Sequence, residues 1–568
     1  MTYDLTPMKA PRTAGASLKL ITAIVESAFP GALLTKKLLR DAGVLALRDA
    51  RTDDALLVTP PGLQASLQAV DGGATGPAPM ADQPALAPDS AIRPSGDAPE
   101  QLADFAEAFR SGRLTPSEVA ERVLTWARES DAAPLPLRVF IAQNEDDVRR
   151  QAADATERHR AGRALGLFDG VPVAVKDELD QRGYPTTVGT AFLGKSPATE
   201  DASVVARLRA AGAVLIGKTN MHEIGLGVTG VNPHHGACRN PHDPTRVTGG
   251  SSSGPAAAVA AGFCPVAVGA DGGGSIRIPA ALCGVVGIKP TFGRVSEHGA
   301  APLCWSVAHV GPIATAVQDL AAGFAVMAGP DSLDPNTLGR PPVNVAALAA
   351  TPSLAGLRVG VFRPYFDDAE PDVVRVCRNA LDALVAAGAT LVEVSIAQLG
   401  LLRAAHLVTI ISEMAASHSR YLGEPTTRYG YDVRLNLALA RRLAATDYVQ
   451  AQRLRVGFAR DFGALYQRID VLATPATGRT APLIPPDALA TGESNLAVTD
   501  QILRFALPAN VLGYPAISVP AGYDSQGLPV GFQLMGRPWE DAALFAPARV
   551  VEAASPRKRP KVHRSLLT

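Results

Sequence analysis

Apolar and polar positions along this chain follow two periods, one typical of strands and one typical of helices. Short apolar runs rich in β-branched residues, such as 171–175 and 213–216, have the length of buried strands. Amphipathic segments with helical spacing, such as 203–212 and 373–387, lie between such runs. This order predicts an α/β protein in which helices cover a mixed or largely parallel β-sheet.

The predicted elements continue in the same manner along the chain. Further strands are expected at 266–268, 357–362, 391–394, 471–473, 516–519 and 530–534. Further helices are expected at 101–111, 116–129, 144–163 and 254–261, with a short one at 276–282. The helix at 116–129 has the clearest start, because Thr115 is a capping residue and Pro116 suits the first helical position.

Residues 1–70 predict a helical extension ahead of the main body. Apolar residues recur at helical spacing, namely Leu18, Ile21, Val25 and Ala28, and then Leu34, Leu38, Ala42 and Leu45. Polar residues are expected on the opposite faces, namely Lys19, Thr22, Glu26, Lys36, Lys37 and Arg40. We therefore predict two amphipathic helices that break at Pro30-Gly31.

A change of composition separates this extension from the rest of the chain. Residues 71–100 are rich in Pro, Gly, Ala and Asp without periodicity, which predicts a flexible linker. Residues 101–568 then form the main domain. The best candidate for a transmembrane span, 20–34, contains Glu26 and Pro30, so no clear span is expected.

Composition and charge limit the classes of protein to which this chain can belong. The chain has 568 residues, enough for more than one domain. Its 54 Lys and Arg are balanced by 54 Asp and Glu, so the chain has no excess of positive charge that would favour binding to nucleic acid. Five scattered cysteines without a CxxC pair predict a disulfide-free cytoplasmic protein.

Candidate chemistry lies in two segments of small residues, 249–254 and 271–277, and in one lysine upstream of them. A serine hydroxyl is a weak nucleophile until a base takes its proton. Lys176 follows the apolar run 171–175, and burial favours the neutral amine that could act as this base. Ser251 can pass a proton between Ser275 and Lys176, since a hydroxyl both donates and accepts.

The glycines around Ser275 have a separate use. Acyl transfer builds negative charge on a carbonyl oxygen, and backbone amides aimed at that oxygen stabilise it. Gly272, Gly273, Gly274 and Ser275 are the candidate donors, because glycine places no side chain between its amide and a substrate. Asp271 and Arg277 flank them and either brace the loop or form an ordinary surface pair.

A cluster of histidines and one cysteine invites a metal interpretation. His234, His235, Cys238 and His242 fit no standard zinc spacing, and the segment is rich in Asn, Pro and Gly. We interpret these as loop residues. No metal and no cofactor are expected.

Lys176, the Gly-Gly-Ser-Ser run at 249–252 and the segment 271–277 together resemble the amidase signature family. In that family the order is a lysine, a serine after a cis peptide bond, and the acylated serine. The resemblance implies the same roles for Lys176, Ser251 and Ser275, and a cis bond between Gly250 and Ser251. It also implies that 101–568 is a catalytic domain acting on a small-molecule amide.

Segments 218–230 and 239–244 resemble plant-type fatty acid amide hydrolases, which carry a helical N-terminal extension. That resemblance implies hydrolysis of fatty acyl amides such as N-acylethanolamines. The N-terminal helices then either pack on the core, cap an acyl channel or rest on a membrane surface, and a homodimer is a further expectation. Three alternatives stay open: a short-chain or aryl amidase, an amidotransferase A-type subunit, and a membrane-surface scaffold without activity.

Overall fold

A computed structural model describes most of the chain. The described residues are 3–8, 10–50, 52, 54, 96–97, 99–349, 353–419 and 426–568. Most of the predicted linker at 71–100, and residues 55–70 of the predicted extension, lie outside the described residues.

The centre of the molecule is a mixed sheet of 11 strands in the order β11-β10-β12-β15-β14-β8-β9-β7-β3-β4-β2. The strands are β1 Thr13–Ala14, β2 Phe140–Ala142, β3 Pro172–Lys176, β4 Val214–Thr219, β5 Arg239–Asn240, β6 Asp243–Val247, β7 Val266–Ala270, β8 Val286–Lys289, β9 Val310–Ala314, β10 Arg358–Val361, β11 Thr390–Glu393, β12 Val471–Pro475, β13 Glu493–Ser494, β14 Ala516–Tyr523 and β15 Pro529–Gly536. Strands β7, β3 and β4 run parallel, as do β11, β10 and β12, while the strands between these groups are antiparallel.

Helices cover this sheet. They are α1 Gly15–Glu26, α2 Phe29–Asp41, α3 Val44–Asp49, α4 Leu102–Arg110, α5 Pro116–Ala132, α6 Glu145–Arg160, α7 Ser203–Ala210, α8 Ser253–Ala260, α9 Arg277–Cys283, α10 Val317–Met327, α11 Val345–Ala349, α12 Arg363–Phe366, α13 Pro371–Ala386, α14 Leu399–His418, α15 Tyr431–Ala440, α16 Ala445–Leu465, α17 Leu496–Leu503, α18 Leu507–Leu512 and α19 Phe545–Ala553. The predicted α/β class with a mixed sheet is confirmed.

The predicted strands all occur in the structure, with ends that differ by a few residues, but seven of the described strands had no prediction. Three of these, β2, β8 and β9, belong to the central sheet, and the other four, β1, β5, β6 and β13, form two-stranded ribbons. The cause is clearest in β9, where Pro312 lies in the middle of the strand and Gly311 precedes it. Proline lacks the amide that a ladder needs, so its presence argues against a central strand unless tertiary packing enforces one.

The N-terminal helices form as expected, but the predicted break was wrong. Helix α1 ends at Glu26 and α2 begins at Phe29, so Pro30 lies inside the first turn of α2. Proline suits that position because the first helical amides have no partner within the helix. The two helices meet at 109°. A side chain at Gly31 would come within 2.6 Å of the Ile24 carbonyl oxygen, so this close crossing requires glycine.

One polar residue of α1 also faces the opposite way to the prediction. Thr22 is buried and donates a hydrogen bond to the carbonyl of Tyr431 in α15. Helix α1 packs along α15, and β1 pairs with β13 in an antiparallel ribbon. Ion pairs of Glu26 with Arg434 and of Arg48 with Asp447 add further links. The described part of the N-terminal segment is therefore joined to the main body at several points between Thr13 and Arg48.

Helix α14 lies close to the site described below. It is the one described helix that is long and apolar enough by itself to cross a membrane, and 56% of its most apolar window is buried inside the protein. It packs against α15, α16 and α18. All five cysteines are free and buried.

Candidate active site

The three residues singled out in the sequence come from neighbouring parts of the sheet. Lys176 ends β3, Ser251 precedes α8, and Ser275 lies between β7 and α9. Because β3 and β7 are parallel neighbours, their carboxyl ends open on the same edge of the sheet. Lys176 Nζ donates a hydrogen bond of 2.8 Å to Ser251 Oγ.

The loop that carries Ser251 lies against Ser275. The peptide bond between Gly250 and Ser251 is cis, as the resemblance predicted. The amide of the next residue, Ser252, donates to the carbonyl oxygen of Ser275 at 3.2 Å. The amide of His222 donates to the carbonyl oxygen of Ser251 at 3.1 Å. These backbone contacts fix the positions of both serines relative to each other.

Lys176 is fully buried and has two neighbours besides Ser251. Its Nζ lies 3.3 Å from the carbonyl oxygen of Ala270 and 2.6 Å from Oε2 of Glu178. Sequence reasoning missed Glu178. The sequence held no clear signal for it, because β3 ends at Lys176 and residues 177–178 form a turn that brings Glu178 back to Nζ.

Asp271 and Arg277 form the buried brace rather than a surface pair. Arg277 Nε lies 3.0 Å from Asp271 Oδ2, and both side chains are fully buried. The same carboxylate accepts hydrogen bonds from the amides of Gly274 and Ile276. Burial alone would raise the pKa of Asp271, but Arg277 and Asn510 outweigh it and hold the pKa well below its usual range.

This brace changes which amides are available around Ser275. The amide of Gly274 donates to Asp271 at 2.6 Å and is therefore already used. The amides of Gly272, Gly273 and Ser275 donate no hydrogen bond to any described residue. Of the four amides predicted to bind a carbonyl oxygen, that of Gly274 supports the loop. The other three have no acceptor among the described residues and can bind a substrate oxygen.

His406 on α14 holds the same loop from the other side, and sequence reasoning missed it too. Its Nε2 lies 2.8 Å from the carbonyl oxygen of Gly272, which can only accept, so the ring nitrogen donates. Burial lowers the pKa of His406 to about 4, so the ring is neutral at neutral pH. A side chain at Gly273 would come within 2.9 Å of this ring, so the close packing requires glycine.

Ser275 opens into a cavity of about 250 Å³. Most of its wall is apolar, and α2, α14 and α15 contribute Leu38, Leu39, Leu407, Ile410, Ile411, Leu435 and Leu439. Segment 225–227 lies in this wall, and 223–225 forms a 3₁₀ turn. Polar groups also contribute, including the ion pair of Arg403 and Asp500.

The histidine cluster considered for a metal is built into loop contacts. His234 Nε2 lies 2.6 Å from Glu223, and His235 Nε2 lies 3.2 Å from the Thr190 carbonyl oxygen. Burial lowers the pKa of His242 to about 4. Among the described residues, no group of three or more His, Cys, Asp or Glu is arranged to hold a metal ion.

Comparisons with known proteins agree with this geometry. The Amidase family profile matches residues 130–545. A fatty acid amide hydrolase of Oryza sativa subsp. indica is 40% identical over 487 residues, which cover 84% of this chain and 80% of the relative. A fatty acid amide hydrolase of Arabidopsis thaliana is 38% identical over an alignment that covers 100% of this chain and 96% of the relative.

Solved structures give the same result. The native peptide amidase from Stenotrophomonas maltophilia superimposes with a TM-score of 0.69 at 30% identity, covering 81% of this chain and 98% of that one. The mixed sheet and the family match define an enzyme of the hydrolase class that cleaves amide bonds. The profile spans well over half of the residues, so the chain belongs to the amidase signature family.

Proposed function

We propose that this enzyme hydrolyses fatty acyl amides such as N-acylethanolamines through an acyl-enzyme on Ser275. The cavity beside Ser275 is the observation that carries the proposal. Its wall is mainly apolar and rich in leucine, and part of it comes from α2 of the N-terminal extension. A long acyl chain gains free energy in such a wall, at about 0.8 kcal/mol for each buried methylene.

The proposed reaction begins with proton transfer along the serines. Ser275 Oγ attacks the amide carbonyl carbon while its proton passes to Ser251, and the proton of Ser251 passes to neutral Lys176. The hydrogen bond from Lys176 to Ser251 supports the second transfer. The unoccupied amides of Gly272, Gly273 and Ser275 are the candidate donors to the oxyanion.

The second half of the reaction reverses the proton path. Lys176 returns its proton through Ser251 to the leaving nitrogen, and the C–N bond breaks. Water then attacks the ester on Ser275, with the same groups acting as base and acid. The names of the two plant relatives support the fatty acyl substrate for this chain.

A substrate series tests the proposal. We expect hydrolysis of ethanolamides from acetyl to oleoyl, with kcat/KM that rises with acyl length. Preference for short or aryl amides would favour the general amidase alternative. Ammonia release from glutamine only with partner subunits and tRNA would favour the amidotransferase alternative.

A covalent label tests the nucleophile separately. A fluorophosphonate should add one adduct to the wild type, visible by intact mass, and none to Ser275→Ala. An adduct of equal yield on Ser275→Ala would overturn the assignment. No adduct and no hydrolysis by the wild type would favour the inactive scaffold.

A further inference from the structure

We propose that Glu178 shares the proton of Lys176, accepting it from Nζ so that the neutral amine becomes available as the base. The inference rests on the proposed function, because it assigns a partner to the base used there. The contact is direct, at 2.6 Å from Lys176 Nζ to Glu178 Oε2. The side chains are 1% and 10% exposed, so water contributes little to either charge.

Lys176 Nζ therefore lies between two oxygens of different kinds. On one side is Ser251 Oγ, at 2.8 Å, which has to lose a proton during attack. On the other side is a carboxylate that can gain one. This arrangement lets a proton leave the amine on one side before the amine accepts another from Ser251.

The surroundings of Glu178 stabilise an anion poorly. Apart from the contact with Lys176, Oε2 receives no hydrogen bond from any described residue. Asp271 gives a comparison, because its fully buried carboxylate accepts from two backbone amides, Arg277 and Asn510. Glu178 Oε2 has no such donors besides Lys176, so its lone pairs are free to accept the proton of Nζ.

The charged and titratable groups on the elements around the pair are Asp177, Lys218, Asp271, Arg277, Lys289, Glu297, Cys304, Glu413 and Arg455. The first four form two buried ion pairs whose charges offset each other. Lys289 opposes the acids around Glu297, and Arg455 opposes those around Cys304. Lys176 is therefore the direct cationic partner of Glu178.

Glu297 and Cys304 respond to this acidic surrounding. Burial, Asp334, Glu178 and Glu413 raise the pKa of Glu297 well above its usual range. Burial, Glu413, Glu297 and Glu178 raise the pKa of the Cys304 thiol well above its usual range. Both groups are therefore protonated and neutral, so neither adds a negative charge beside Glu178.

The proton balance is simple. At rest the pair is an ammonium and a carboxylate. One N–H bond of Lys176 breaks and an O–H bond forms on Glu178, which gives an amine and a carboxylic acid. The amine then accepts the proton of Ser251 as Ser251 accepts that of Ser275, and later returns it along the same path to the leaving nitrogen. Glu178 keeps its proton through these steps.

The pH dependence of Glu178→Gln tests the proposal. In the wild type the proton moves to Glu178, so activity persists below the pH at which a lone amine would ionise. In Glu178→Gln the amine must lose its proton to solvent. We expect the acid limb of kcat/KM to move to higher pH by about one unit or more, with about a tenfold loss at neutral pH.

Matched variants separate this role from simple packing. Glu297→Gln replaces a nearby neutral acid with a neutral amide and should leave the acid limb in place. Glu178→Asp keeps a carboxyl group and should give an acid limb between those of the wild type and Glu178→Gln. It also serves as the test if Glu178→Gln does not fold. An unchanged acid limb in both Glu178 variants would overturn the inference.

The direction of the shift is also decisive. A shift of the acid limb to lower pH in Glu178→Gln would mean that the carboxylate only holds the ammonium, which contradicts proton sharing. The rate of fluorophosphonate labelling at each pH gives the same readout without a substrate. If the wild type forms no adduct on Ser275, the proposed function fails. If the wild type is labelled but Glu178→Gln shows no upward shift, only proton sharing fails.

Discussion

Asp271 supports the loop around Ser275 through four kinds of contact. It pairs with Arg277 and accepts hydrogen bonds from the amides of Gly274 and Ile276 and from the side chain of Asn510. None of these groups is exposed enough for water to replace a lost partner. Loss of the Asp271 charge therefore leaves Arg277 as an uncompensated buried cation.

We predict that Asp271→Asn lowers the free energy of unfolding by about 3 kcal/mol at neutral pH. The folded pKa of Asp271 is depressed, so its stabilisation is present above the unfolded pKa of about 3.9 and is lost as pH falls toward the folded pKa. Denaturant unfolding should show a large difference between variant and wild type at neutral pH, and a smaller one below about pH 4.

An exposed pair gives the control for this measurement. Glu107 and Arg110 lie three residues apart on α4, with side chains 56% and 76% exposed. Glu107→Gln should change stability little, because exposed pairs contribute about 0 to 1 kcal/mol. Equal small effects of both substitutions, or a difference for Asp271→Asn that does not depend on pH, would show that Asp271 is not the brace.

At the residue scale, the sequence identified the site residues that lie in contiguous motifs and missed those that reach the site only through tertiary contacts. Lys176, Ser251 and Ser275 were found because each lies in a recognisable run of residues. His406 was missed because it is one of several polar residues on a largely apolar helix, far along the chain from Gly272. Nothing local to α14 indicates that its ring meets the glycine loop.

At the scale of elements, periodicity predicted the N-terminal helices but not their crossing. Positions such as Leu18 and Val25 gave the buried stripe of α1 correctly. The break depends on how closely α1 and α2 approach at Gly31, and that distance is set by packing. Helix α14 had no prediction for a related reason, because a helix buried on most sides has no polar face to mark its period.

Helix α2 offers a test of the acyl site, because two of its leucines lie in different environments. Leu38 lines the cavity, whereas Leu33 is 65% exposed. We predict that Leu38→Ala lowers kcat/KM for oleoyl amides by about tenfold, because contact with the chain is lost, and leaves acetyl amides nearly unchanged. Leu33→Ala should leave both substrates unchanged. An equal loss on short and long substrates with Leu38→Ala would assign α2 a role in stability only.

At the scale of the whole molecule, sequence predicted the α/β class and not the order of the strands. Strand β12, for example, is parallel to β10 and antiparallel to β15. Strand β10 precedes β12 in the chain and β15 follows it, and in each case other strands and helices lie between the two partners. Such pairing is decided by how all the helices fill both faces, which the pattern of any one strand does not encode.

The outer surface of α1 and α2 is unusually apolar for a surface that faces solvent. Three large apolar side chains on these helices are strongly exposed, namely Leu20 at 62%, Phe29 at 79% and Leu33 at 65%. Lys19, Lys36 and Lys37 are exposed on the same two helices. We propose that this surface rests on a membrane, since exposed apolar side chains beside lysines suit the interface of an anionic bilayer.

Co-sedimentation with vesicles tests this proposal. We expect the wild type to pellet with anionic phosphatidylglycerol vesicles, less with neutral phosphatidylcholine vesicles, and less at high salt, because salt screens the lysines. The double variant Phe29→Asp/Leu33→Asp should stay in the supernatant. Leu333→Asp, at a site 60% exposed and remote in sequence, is the control and should bind as the wild type does.

Binding by the double variant equal to that of the wild type would contradict the proposal. A dimer that the double variant dissociates in sedimentation equilibrium, without vesicle binding by the wild type, would assign the surface to a second copy of the chain instead.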